Sequence, residues 1–172
     1  MFTSILTACK HGGDSLTDTM VDNSTPQVEL PEHQALVEKY NLPPEPNAEV
    51  NNSTVLGVDV NNNGIRDDWE RAIVFNYNYD QVEMNLHNAF AKAISDRHIS
   101  LETMDIELYK SSSITAKQVI SCGYYFYGKN RSTSDMLEFS EGTKLRKENI
   151  LDASSAMSKY LDDSYWHDYS KS

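Results

Sequence analysis

Apolar residues three and four places apart, sustained over several segments, constrain this chain more than any other feature. Between residues 79 and 97, Val82, Leu86, Ala89, Phe90, Ala93 and Ile94 recur at that spacing. An α-helix turns every ~3.6 residues, so such residues share one face and need a partner surface. "DDWERAIVFNYN" repeats the pattern with Trp69, Ile73, Val74 and Tyr77. Ala116, Val119, Ile120, Gly123 and Phe126/Tyr127 make a third stripe, with Gly128 as a natural helix stop. Ile150, Ala153, Met157, Tyr160 and Leu161 make a fourth, and "SLETMDIELYK", opening on Ser100, reads as one more short helix. No stretch keeps the strict alternation of a strand. The expected fold is all-α, a small irregular bundle of four or five helices.

The first fifty residues differ from the rest. They hold two basic residues, Lys10 and Lys39, against eight acids, and two aromatics, Phe2 and Tyr40. High net charge with few large apolar side chains cannot bury enough surface to offset the entropy of ordering. A disordered N-terminal tether is therefore expected over residues 10–48, with a short helix near 31–41, where "PEHQALVEKYN" places Pro31 at a first helical position. "LPPEPN" forces an extended connector, and the helical domain is expected over 49–172. The net charge of the 172 residues is -11, which excludes nucleic acid as a partner because phosphate binding needs clustered Lys and Arg.

"DVNNNGIRDDWE", residues 59–70, has the residue types that a calcium loop needs. Calcium takes six to eight oxygens at about 2.3–2.6 Å. Twelve residues wrap it when alternate side chains point inward and the chain turns sharply at the sixth place. Asp59, Asn61 and Asn63 stand at places one, three and five, and Gly64 at six lacks the Cβ that would resist the turn. Ile65 would offer its carbonyl at seven, Asp67 its carboxylate at nine, and Glu70 a bidentate carboxylate at twelve. The simpler reading is an Asn-Gly turn followed by a helix cap. Three formal negatives, with Arg66 and Arg71 close by, place any calcium affinity in the weak, extracellular class of roughly 10⁻⁴–10⁻³ M.

The loop resembles that of EF-hands, but its apolar residue stands at place seven and Arg66 at eight. In this it is closer to thrombospondin type 3-like loops, with Asn for Asp at places three and five. The wider stretch from "LPPEPN" through "NNST" to "NNNGIRDD" resembles bacterial lipoproteins. The N-terminus points the same way, since Leu6, Thr7, Ala8 and Cys9 look like a lipobox. Eight residues, none basic, precede Cys9, so residues 1–9 are read as the remnant of a lipoprotein signal. What the resemblance implies is lipid on Cys9, a membrane anchor, and a place on the periplasmic face of a bacterial envelope. Lys10 after the cysteine implies the outer membrane; the alternative is secretion. Sequons at 23, 52 and 130 arise readily by chance in an Asn- and Ser-rich chain.

No other chemistry stands out. His11, His33, His87, His98 and His167 are dispersed without zinc spacing, and are expected at the surface or rim. Cys122 is expected to be a buried, inert thiol. The rings of "YYFY" at 124–127 and "YWHDY" at 165–169 are expected to close the core, or else to form a protein-binding surface. The functional expectation is a calcium-stabilised envelope lipoprotein acting as a structural or interaction module. Its alternative is a small periplasmic or secreted enzyme that uses calcium as a scaffold.

Overall fold

The structure is a computed structural model that describes residues 31–128, 140 and 142–161. Among these residues it is helical without strands, as the apolar spacing requires. The order is α1 (Pro31–Tyr40), α2 (Ala48–Asn52), α3 (Asp67–Tyr77), α4 (Gln81–Thr103), α5 (Ile106–Tyr127), α6 (Lys144–Met157) and a 3₁₀ turn at Ser158–Tyr160. None of the described helices is long and apolar enough to cross a membrane.

The long hairpin of α4 and α5 is the frame. Asp80 caps α4 by accepting the Val82 and Glu83 amides at 3.0 and 3.1 Å, and Asp105 caps α5 by accepting the Leu108 amide at 2.9 Å. Between the helices, Met104 sits in the left-handed region at φ 56°, and the Asp105 amide donates to the Ser100 carbonyl. This corrects the separate helix expected to open on Ser100. Ser100 belongs to the last turn of α4, fully buried, its hydroxyl donating to the Arg97 carbonyl at 2.6 Å. Serine satisfies itself equally well at a cap or by bonding back within a helix, so its presence alone does not mark a start.

α3 packs on α4 and supplies Trp69, Ile73, Val74 and Tyr77 to the core. α4 contributes Met84, Phe90, Ala91, Ala93 and Ile94, and α5 contributes Ala116 and Val119. Val82, expected on the buried stripe, is exposed, and Met84 takes its place. Two histidines expected at the surface, His87 and His98, are also buried. The His87 ring stacks on Tyr77 with centroids 3.9 Å apart. An imidazole whose nitrogens find partners is flat enough to pack like an aromatic ring, and a hydropathy pattern does not count it as apolar. His33 lies against Phe75; His11 and His167 fall outside the described residues.

Packing on the core starts upstream of residue 49, at α1. Leu36, Val37 and Tyr40 pack on the core, Leu42 is buried within it, and Arg71 of α3 donates to the Pro43 carbonyl and to Glu45, both at 2.7 Å. The helix expected near 31–41 is thus docked on α3 rather than carried along a tether. Residues 1–30, which include the lipobox and Cys9, lie outside the described residues.

At the far end of α5, two expectations are overturned. The face turned to α4 runs Tyr109, Ser112, Ser113, Ala116, Val119 and Gly123, so Cys122 and Tyr125 lie rotated away from it. Cys122 is an exposed free thiol. Tyr125 and Phe126 are 85 % and 60 % exposed, and Tyr124 is also at the surface; these rings do not close the core. Tyr127 is half-buried and donates to Asp80 at 2.9 Å. The second aromatic run, at 165–169, is outside the described residues. Met157 at the end of α6 is buried while Tyr160 in the 3₁₀ turn is exposed, and the side chains of Ile150 and Ala153 lie outside the described set.

His98 links α4 to α6, its Nδ1 lying 2.9 Å from Asn149 Oδ1. Burial chiefly, with Arg97, Arg66 and Arg146 adding repulsion, holds its pKa below the ordinary imidazole value. A depressed pKa means that the unfolded chain takes the proton first, so this contribution is full above about pH 6.5 and is lost as pH falls below it. The urea midpoint is therefore expected to hold down to about pH 6.5 and to drop below it in the wild type, and to stay flatter in His98→Gln.

Candidate metal centre

The loop between α2 and α3 is built from side chains that grip its own backbone. Asp59 accepts the Gly64 amide on one carboxylate oxygen at 2.8 Å and the Asn63 amide on the other at 3.2 Å. The Oδ1 atoms of Asn61 and Asn63 accept the amides two residues ahead, at 3.1 and 2.8 Å. Short Asp and Asn side chains form such turns readily because the oxygen reaches its own backbone. Gly64 has φ 82° and Asn62 φ 55°, the left-handed conformations that carry the chain round. At the exit, the Asp67 amide donates to the Val58 carbonyl at 2.8 Å, and the Val60 amide donates back to the Asp67 carboxylate at 3.1 Å. The two ends of the turn are pinned together.

Every side chain expected to bind an ion is brought to this turn. Asn61 donates to Glu70 at 3.0 Å. Asp67 is fully buried, and burial first, then Asp59 and Asp68, pushes its carboxyl above the usual range against the pull of the Val60 amide. Glu70 is likewise raised, chiefly by burial and further by Asp67 and Asp59, while the two asparagines oppose the shift. The Asp59 charge thus acts on both Asp67 and Glu70 across a single turn. Like charges held together in this way favour either a proton or a cation between them.

The two arginines expected to weaken the site have other partners. Arg66 donates from Nε to Asp68 at 2.6 Å and lies over the Trp69 ring. Arg71 is the residue that binds Glu45 and Pro43. Asp68, at place ten, is the countercharge of Arg66 and not a member of the expected ligand set.

Among the described residues no group of three or more His, Cys, Asp or Glu side chains is arranged to hold a metal ion. The loop's oxygens are of mixed kind: three carboxylates, the amide oxygens of Asn61 and Asn63, and a carbonyl at Ile65. Such a set suits a hard cation with a flexible shell, of which calcium is the type, and suits neither zinc nor a soft metal.

Sequence reasoning missed the residues that support the loop. Asn51 is buried, donating to Asp68 at 2.8 Å and accepting the Val58 amide at 2.9 Å. Arg146 of α6, 1 % exposed, donates to the carbonyls of Val55 and Asn51 and to Asn52 Oδ1. Gly57, at φ 71°, lies against both Asn51 and Arg66. The polar run "NNST" followed by a glycine carried a faint signal for Asn51; nothing in "TKLRKE" distinguishes Arg146 from a surface cation. No family model, no curated protein and no solved structure matches this chain.

Proposed function

We propose that this chain is a calcium-stabilised lipoprotein of the bacterial cell envelope, acting as a structural or interaction module. What supports the metal reading is the tight turn itself, where Asp59, Asn61, Asn63, Asp67 and Glu70 all present side-chain oxygens to one short stretch of backbone and to each other. Calcium would be held by those carboxylates with Asn61, Asn63 and the Ile65 carbonyl. What it supplies is positive charge where the loop has a surplus of negative, fixing the start of α3. Magnesium is disfavoured, since it keeps its waters and demands a near-ideal octahedron. An affinity of roughly 10⁻⁴–10⁻³ M suits a compartment where calcium stays abundant, consistent with anchoring through lipid on Cys9.

The aromatic end of α5 supports the module reading. Tyr124, Tyr125 and Phe126 are exposed together, and such rings are favoured where protein surfaces meet. A cavity of about 610 Å³ is lined by Asn47, Ala48, Glu49, Asn52 and Ser53. The Ser53 hydroxyl there donates to the Val50 carbonyl at 2.7 Å, so its proton is directed to the backbone rather than to a base.

A thermal melt with and without calcium tests the reading. At a few millimolar calcium, mass action on a weak site gives about 1–2 kcal/mol, or roughly 4–8 °C for a domain of this size. Asp59→Ala and Glu70→Ala are each expected to lose that increment. A wild-type midpoint that ignores calcium would overturn the metal. For the anchor, mass spectrometry of the protein expressed in a bacterial host together with any sequence upstream of Met1 should find it starting at an acylated Cys9; an unmodified, uncleaved N-terminus would sink that part.

A further inference from the structure

Among the described residues, α6 is joined to the body mainly by polar side chains. Arg146 donates to the Asn51 carbonyl at 2.7 Å, the Val55 carbonyl at 3.1 Å and Asn52 Oδ1 at 3.2 Å. Three residues on, Asn149 meets the buried His98 of α4, its Oδ1 2.9 Å from Nδ1. The apolar core draws on α3, α4, α5 and the segments before α3, and the buried Met157 of α6 stands outside that cluster. The charge at this joint is lopsided. Arg97 from its own helix, Arg66 from the turn before α3 and Arg146 from α6 all repel a proton on the imidazole. Arg97 lies over Tyr109 of α5, with its Nε buried and without a hydrogen-bond partner. Asp68 is the countercharge, paired with Arg66 at 2.6 Å and attracting Arg146 as well. The acids nearest in the chain are engaged or turned to water: Asp96 pairs with Lys92, while Glu102 of α4 and Lys147 and Glu148 of α6 are exposed.

We infer that His98 is an acid-operated latch: a proton taken up in the joint between Arg97, Arg66 and Arg146 releases α6 while the core of α3, α4 and α5 stays folded. With the amide oxygen of Asn149 opposite it, Nδ1 carries the hydrogen of the neutral ring, so the incoming proton goes to Nε2. That proton adds positive charge where water is excluded and guanidinium groups already crowd, which is costly without a new countercharge. Releasing α6 carries Arg146 away and lets water reach the ring. The closed joint holds the imidazole below its ordinary pKa, and the open one returns it toward about 6.5. The open form therefore binds the proton more tightly, which is what a ligand needs in order to shift a population. α6 accordingly stays docked above about pH 6.5 and is released as pH falls below it. This device works with no ion in the loop, so it stands apart from the calcium reading.

Hydrogen exchange on the full chain at about pH 7.5 and about pH 5.5, corrected for the intrinsic pH dependence of exchange, tests the latch. Opening gains about ten-fold for each pH unit below about 6.5 over which the closed form refuses the proton. The α6 amides are therefore expected to lose about ten-fold in protection at the lower pH, while those in the middle of α4 and α5 keep theirs. In His98→Gln, whose amide can still donate to Asn149 but takes no proton, α6 should be equally protected at both. Should that variant fail to fold, Arg97→Met removes one cation beside the imidazole and is expected to shrink the drop. An unchanged drop there would refute the latch. So would α6 protection that ignores pH in the wild type, or loss of α6 and core protection together. A drop that persists in His98→Gln would pass the release to the raised carboxyls of Glu45, Asp67 or Glu70 and refute it too.

Discussion

Gly57→Ala is expected to cost about 3–5 kcal/mol, one of the largest losses from a single methyl group in this domain. Two terms add. Gly57 sits at φ 71°, where a side chain costs about 1–2 kcal/mol from the clash of Cβ with its own backbone. The new carbon would also stand 2.3 Å from Arg66 Cδ and 2.6 Å from both Arg66 Cγ and Asn51 Oδ1. Neither neighbour is free to retreat. Arg66 is buried, paired with Asp68 and laid over Trp69, and Asn51 is held at both ends of its amide. Gly64→Ala is the internal comparison. It has φ 82°, but its nearest neighbours are the outer atoms of the Lys92 side chain, which can swing into solvent. Its cost should stay near the backbone term of about 1–2 kcal/mol. Equal urea midpoints for the two variants would show that the Asn51–Arg66 packing is wrong.

That comparison marks the division between what local sequence encodes and what it hides. The loop was legible because its contacts span five residues or so: Asp59 to Gly64, Asn61 to Asn63, Asn63 to Ile65. The face of α3 was legible because Trp69, Ile73, Val74 and Tyr77 are apolar and regularly spaced. Errors arose where a residue's environment is decided by a distant element. Val82 and Met84 are both apolar near the start of α4, and only the placement of α3 decides that Met84 is buried. His87 goes inside because Tyr77 offers a ring to stack on. Cys122 falls outside because small residues at Ser112, Ser113, Ala116 and Gly123 turn a different face of α5 to α4. Leu42 joins the core although its neighbours read as a linker, since Arg71 holds the Pro43 carbonyl from another helix. Arg146 is the extreme case. Its acceptors lie more than ninety residues away, and no pattern around position 146 announces them.

Trp69→Ala is expected to be as damaging as Gly57→Ala, through loss of volume rather than a clash. The indole is 2 % exposed and meets Phe90 of α4 edge to face, with centroids 6.3 Å apart. Removing a fully buried tryptophan costs about 3–5 kcal/mol, since the lost transfer energy adds to that of the cavity left behind. Arg66 would also lose the ring beneath its guanidinium, a contact of about 0.5–2 kcal/mol. Set against the roughly 5–15 kcal/mol that holds a domain together, the variant sits near its unfolding threshold. Trp69 stands at place eleven of the loop, between Glu70, a ligand in the proposed site, and the countercharge Asp68. The magnitudes can therefore be set against each other at one position. Calcium on a weak site returns about 1–2 kcal/mol, less than the indole supplies. Trp69→Ala saturated with calcium should then melt below the wild type in chelator, and Trp69→Phe should fall between them. The reverse order would mean that the ion holds the bundle together. The order expected here would make the proposed ion a staple at the entrance of a helical body whose stability lies in the packing of α3 and α5 on α4.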